Sequence, residues 1–407
     1  MNSINLKKIG IIIGILVIAL IIGYFIYSLF FKAAPTSTPN PVTNTQGGNG
    51  LPQAGAGTQN GVAPSSGQLP DQGQNATTQT PNTPANQAVG AATDLGLTVS
   101  DLSSANSGNV QFLNQADGKF YRLGADGKPV VLSDQTFTGA NSVDWSPTND
   151  KAIIGFPDGS KILYNFTTKQ QSTLPKHWEG FAFSPNGDKI VAKSIGLDPN
   201  NRWLVVANPD GTQAKTIEPL GDNAADVISS WSPNNQTIAM DVQGTDYNSK
   251  EIVFIGQNGE NFKSLTTDGR GFEPKWSPSG SELLYSVYSA DNDYKPTLWL
   301  TSAQGDSIGA NRRQVGLNTW ADKCTYSGAS IFCAVPQSLD RGAGLFPEMA
   351  NTTPDTLYRV DPQTGAKSIV NTGSSNFTMQ NLSVSSDGQY LYFTDTQTNR
   401  LQRIKLQ

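Results

Sequence analysis

The chain has 407 residues, of which 40 are Gly, 24 are Pro and only 15% are charged, too many turn formers and too few charges for a helical bundle. One histidine, His177, and two cysteines, Cys324 and Cys333, exclude a His/Cys zinc site and leave most catalytic triads without a base. The net charge of −5 understates the acidity of most of the chain, because Lys7, Lys8 and Lys32 all precede the first acidic residue, Asp71; such a surface excludes nucleic acid as a partner.

Residues 9–31 carry no charge, and at about 1.5 Å per residue they reach roughly 34 Å, enough to cross a bilayer core of about 30 Å. They are read as one transmembrane helix rather than a cleaved signal peptide, whose apolar region is shorter. Lys7 and Lys8 precede the helix and Lys32 alone follows it, which keeps residues 1–8 in the cytoplasm and places the rest of the chain outside it, on a single-pass cell-membrane anchor. Residues 32–94 consist largely of Pro, Thr, Asn, Gln, Gly, Ser and Ala, cannot bury a core, and read as a disordered tether.

Beyond residue 95 one pattern keeps returning. A short apolar stretch ends in an aromatic residue, followed by Ser-Pro and a polar turn: Trp145-Ser146-Pro147, Phe183-Ser184-Pro185-Asn186-Gly187, Trp231-Ser232-Pro233 and Trp276-Ser277-Pro278-Ser279-Gly280. Two degenerate copies are read at Trp320-Ala321-Asp322 and Val384-Ser385-Ser386-Asp387-Gly388. The copies return about every 40 to 50 residues, the period of a four-stranded propeller blade, with a longer gap before the last. Proline at the second turn position stops the strand, and glycine takes the left-handed position. A second tight turn follows in most repeats, as at Asp126-Gly127, Asp210-Gly211 and Asn258-Gly259.

This turn followed by a short β run resembles the WD40-like repeats of the TolB-type β-propellers over residues 95–407. The resemblance implies an all-β propeller and no particular chemistry. The expected ring has about seven four-stranded blades, with six or eight as alternatives. The first blade takes strands at 97–100, 110–114, 119–123 and 130–132. The last shows three strands, so the stretch after Thr93 could instead close the ring by pairing with it.

In antiparallel blades the Ser-Pro turns share one face, and the long connections at 196–202, 244–250, 290–295 and 336–356 fall on the other, where binding usually resides. The candidate ligand face is Trp178, Glu179, Asp226, Tyr247, Glu273, Tyr294, Arg341 and Phe346. Glu179, Asp226, Glu273 and Gln380, at similar offsets before their strands, are read as a ring at the channel mouth. Asp246, Asp291, Asp293 and Asp340 offer carboxylates but complete no calcium loop, and His177 lacks a visible nucleophile. No cofactor, metal or catalytic residue is implied. The function expected is a non-catalytic scaffold for an envelope protein or a surface glycan. The alternatives are a propeller enzyme acting on polysaccharide and a structural component of a surface assembly.

Cys324 and Cys333 are expected to form a disulfide. If the hairpin turns at Gly328-Ala329, Ser327 faces Ser330, Tyr326 faces Ile331, Thr325 faces Phe332, and the two cysteines stand directly opposite.

Overall fold

A computed structural model describes residues 90–103, 110–124, 126–373 and 376–406; the expected transmembrane helix at 9–31 and nearly all of the expected tether lie outside the described residues. Among the described residues no helix is long and apolar enough to cross a membrane. They are almost entirely strand and loop. The first strands are β1 (Ala92–Ser100), β2 (Gln111–Asn114), β3 (Lys119–Leu123) and β4 (Pro129–Val131). Next come β5 (Ser142–Trp145), β6 (Lys151–Gly155), β7 (Lys161–Asn165), β8 (Gln171–Leu174), then β9 (Trp178–Phe183), β10 (Ile190–Ile195), β11 (Arg202–Ala207) and β12 (Lys215–Pro219). The fourth and fifth groups are β13 (Val227–Ser229), β14 (Thr237–Gly244), β15 (Ser249–Gly256), β16 (Leu265–Asp268), and β17 (Arg270–Trp276), β18 (Glu282–Tyr288), β19 (Pro296–Ser302), β20 (Arg313–Gln314). The chain finishes with β21 (Cys324–Ser327), β22 (Ser330–Pro336), β23 (Asp355–Val360), β24 (Lys367–Ile369), and β25 (Met379–Val384), β26 (Tyr390–Asp395), β27 (Arg400–Lys405).

Strands β5 to β24 make five separate four-stranded antiparallel sheets, and the other strands join in one seven-stranded sheet ordered β25-β26-β27-β1-β2-β3-β4. Five discrete blades therefore stand where about seven were expected. The reason is β1, which begins before residue 95 and serves two neighbours. Its first part pairs with β27, from Ala92 opposite Ile404 to Thr98 opposite Arg400, and its end pairs with β2 through Val99 and Ser100. The Arg400 guanidinium meets the Asp94 carboxylate at 2.8 Å across this junction.

Burial follows from stacking sheet on sheet. The second strand of each sheet is apolar without alternation: in β6, β18 and β22 nearly every side chain is buried, because a neighbouring sheet covers each face. The outermost strands β4 and β24 are exposed throughout, Val130, Val131 and Ile369 included.

The turn serine has a double role. Ser184, Ser232, Ser277 and Ser385 each donate a backbone N–H across the turn, to Lys189, Thr237, Glu282 and Tyr390. Their hydroxyls accept the N–H of those same residues at 2.9 to 3.1 Å. Gly187, Gly280 and Gly388 take the left-handed position that follows, with φ of 68 to 70°, and Asn149 and Asn235 occupy it in their own sheets.

The aromatic residue before each serine packs on the preceding sheet. Trp145 lies against Phe120 and Phe166, Trp231 against Val191 and Leu204, and Trp276 against Met240 and Phe254. In the β21–β24 sheet this position belongs to Tyr326, packed on Leu284 and Leu298, and the turn is Ser327-Gly328-Ala329-Ser330. The degenerate copy placed at Trp320-Ala321-Asp322 is thereby corrected: loss of the proline and a shorter turn hid an aromatic-Ser pair six residues later in the chain. The cysteines stand opposite each other in the register expected, with a disulfide joining them and their Cα atoms 4.0 Å apart.

Candidate functional site

The connections at 245–248, 289–295 and 337–354 converge on one end of the β13–β24 region. The longest is held down by backbone. Gly342 N–H donates to the Asp293 carbonyl at 2.8 Å and Gly344 N–H to the Tyr294 carbonyl at 2.7 Å, while Ala343 and Ala350 pack on Trp320. A Cβ on Gly344 would lie 2.5 Å from Cβ of Tyr288, so only glycine allows this approach. Trp320 thus anchors the loop from beneath.

What the loop displays is apolar. Leu345, Phe346 and Met349 are exposed, Phe346 by 55%. Beside them the Arg270 guanidinium lies 4.5 Å above the Tyr247 ring and 5.6 Å from the Tyr288 ring, and Tyr247 is 67% exposed. Tyr247, Arg270 and Tyr288 form one stacked group, and buried Gly344 brings the loop that exposes Phe346 against Tyr288. Its rim is acidic: Asp291, Asp293, Asp340 and Glu348 are exposed. Asp246 turns its carboxylate onto the N–H groups of Asn248 and Ser249 at 2.7 Å, which lower its pKa and stiffen its own loop.

The remaining residues expected on this face have varied surroundings. Arg341 is exposed on the long loop. Tyr294 has φ of 54° and contributes its carbonyl to the loop clamp. Trp178 is 5% exposed: it opens β9 opposite Ser194 and belongs to the core with Leu174 and Val205, so its ring is not available to a ligand. Glu179 is exposed and pairs with Lys193 at 3.6 Å. Asp226 is exposed at the end of the single-turn helix Gly221–Ala225. His177 is exposed, and its carbonyl accepts the Ile195 N–H. Gln380 faces Thr394.

Glu273 lies in a cluster that sequence patterning did not anticipate. Its Oε1 accepts the Asp322 N–H at 2.8 Å. Burial, and then the Asp322 negative charge, push its carboxyl up to about 7. Lys275, on the same face of β17, donates to the carbonyls of Cys324 and Asp322, and burial lowers its pKa. A few ångströms along the chain Lys323 meets Asp355 at 2.8 and 2.9 Å, and Asp355 also accepts the Met379 N–H at 2.6 Å. The signal for these groups was present in Lys275 two residues after Glu273 in β17 and in Lys323 next to Asp322 just before β21. Among the described residues no three His, Cys, Asp or Glu side chains are grouped to hold a metal ion.

No family model and no curated protein matches the chain. Solved structures do resemble it. An oligogalacturonate lyase in complex with manganese aligns over 79% of this chain and 94% of its own at 15% identity, with a TM-score of 0.54. A virginiamycin B lyase from Staphylococcus aureus aligns over 78% of this chain and 99% of its own at 12% identity and a TM-score of 0.50. The tricorn protease aligns over 80% of this chain and 34% of its own at 11% identity and a TM-score of 0.51. At such identities the likeness establishes the β-propeller fold and nothing about chemistry.

Proposed function

We propose that this chain is a non-catalytic binding propeller, held outside the cytoplasm by a membrane helix at 9–31 and a tether at 32–94, which receives an envelope protein on its long-loop face. The seven-stranded sheet counts in this reading as two blades sharing β1, giving a closed ring of seven. The observation that carries the proposal is the stacked group Tyr247, Arg270 and Tyr288 beside a loop that exposes Leu345, Phe346 and Met349 and is fixed in place by the Gly342 and Gly344 backbone bonds. Apolar side chains held rigidly on a polar-rimmed surface are what a protein interface needs at its centre. Replacing the exposed side chains Leu345, Phe346 and Met349 together by Ser should leave melting unchanged within a few degrees and abolish co-purification of the partner from detergent-solubilised membranes. Equal enrichment of the same proteins by both forms would count against the proposal.

A propeller enzyme acting on polysaccharide is the second reading. It is favoured by Glu273, which is poised near neutral pH beside a second carboxylate. Polysaccharide cleavage that Glu273→Gln removes would establish it.

A further inference from the structure

The face bearing the Ser-Pro turns holds a cavity of about 1140 Å³. It spans the turn ends of four neighbouring sheets, with Trp231 from the β13–β16 sheet, Trp276 from the β17–β20 sheet, Ser330, Phe332 and Arg359 from the β21–β24 sheet, and Val384, Ser385 and Lys405 from the seven-stranded sheet. One position of the repeat recurs in its lining. The side chain preceding the turn serine is Trp145, Phe183, Trp231, Trp276 and Tyr326 in the five separate sheets, and the rings of Trp231, Trp276 and Tyr326 line this cavity. In the seven-stranded sheet it is Val384, packed on the cluster of Phe332, Leu357 and Leu391, and the volume a ring would fill stays open.

The walls are polar and carry uneven charge. Ser327, Ser330, Ser383 and Ser385 line them with hydroxyls. Arg359 leans on Ser330, its Nε donating to Oγ at 2.9 Å, and leaves the outer edge of its guanidinium toward solvent. Lys405 stands opposite. The acid in the lining, Asp387, already accepts the Ser385 hydroxyl and the Gln389 N–H, which lower its pKa. Lys275 at the far end is engaged with the carbonyls of Cys324 and Asp322, so the cations free to meet a ligand are Arg359 and Lys405.

We propose that this cavity binds an acidic oligosaccharide. Its volume exceeds the usual 300 to 1,000 Å³ or so of a site for one small molecule, which suits several linked units. Hydroxyl walls match sugar hydroxyls, and a guanidinium facing an ammonium across the opening matches carboxylates repeated along a chain. The site is on the opposite face from the long loops and does not depend on the reading given to them.

The test is calorimetric titration of the full chain in detergent with a hyaluronan hexasaccharide, with chitohexaose as the neutral sugar and hexaglutamate as the acidic peptide. Hyaluronan should bind at least tenfold more tightly than either. Arg359→Ala with Lys405→Ala should weaken it at least tenfold, and Val384→Trp, which adds an indole to the wall between them, should weaken it as well without lowering the melting temperature. The variant with Leu345, Phe346 and Met349 replaced by Ser should bind the sugar as the parent does, which separates this site from the protein-binding face. Equal binding of chitohexaose, tighter binding of hexaglutamate, or undiminished binding by the Arg359/Lys405 variant would each overturn the proposal, as would no binding of hyaluronan. Should Val384→Trp fail to fold, the two surface substitutions decide the matter.

Discussion

Two seams of this propeller solve the same packing problem by different means. Where the β17–β20 sheet meets the β13–β16 sheet, Trp276 fills the gap, edge-on to Phe254 with ring centroids 6.2 Å apart, and its Nε1–H donates to Ser230 Oγ at 2.9 Å. Where the seven-stranded sheet meets the β21–β24 sheet, Val384 is too small to do so. That seam is bridged by polar groups: Asp355 accepts the Met379 N–H and donates its own N–H to the Phe377 carbonyl, and Thr378 donates to the Thr353 carbonyl. The first seam gains stability from area and shape. The second relies on buried hydrogen bonds and an ion pair, which fix geometry firmly and leave space at the turn end.

The largest expected effect comes from breaking the polar seam at its charge. The Lys323 and Asp355 side chains are 7% and 0% exposed, so Lys323→Met strands a buried carboxylate and should cost about 3 to 5 kcal/mol in denaturant unfolding. Lys323→Met with Asp355→Leu should recover part of that loss, short of all of it, because the Met379 N–H stays unpaired. A single change as costly as the double would show that the pair itself adds nothing.

At the aromatic seam Trp276→Ala should cost about 2 to 3 kcal/mol, as a large half-buried side chain and its hydrogen bond are removed together. Val384→Ala should cost about 1 kcal/mol, because the gap there is already open. Similar losses at both positions would dissolve the contrast.

The disulfide sits between these seams, on β21 and β22. Cys324→Ala with Cys333→Ala should lower stability by about 2 to 3 kcal/mol, judged from the short loop the bond closes. Thermal melting with and without reductant checks this, and an unchanged melting temperature would place the bond outside the folding energetics.

Glu273 gives a pH signature to the same region. Its folded carboxyl titrates at about 7, above its unfolded value, so the fold binds more protons than the unfolded chain between the two. The stabilisation is complete below the unfolded value and is lost as pH rises through about 7. Glu273→Gln should flatten the fall in melting temperature between pH 5 and pH 8; a parallel offset at every pH would mean the carboxyl is not the titrating group. Weakest of all, Arg400→Ala at the exposed contact with Asp94 should cost no more than about 1 kcal/mol, even though it sits where β1 joins β27.

Much of this architecture could be read without coordinates because its signals are local. The aromatic-Ser-Pro turn needs only neighbours in the chain, and the cysteine register follows from one hairpin, so both were legible in residues 145–147 and 324–333. Tyr326-Ser327 was overlooked because its turn has no proline, and Trp178 was assigned to a loop because nothing adjacent to it shows that it pairs with Ser194.

By itself the sequence determined the repeat, the turn face and the disulfide, since each depends on contacts within one hairpin. Only the tertiary structure decided which residues meet across seams: Glu273 with Asp322, Asp355 with Met379, Gly344 against Tyr288, and the space left beside Val384. Those partners are separated by tens of residues, and whether a lysine in an apolar strand is paired or stranded depends on a neighbouring sheet whose placement no local pattern encodes.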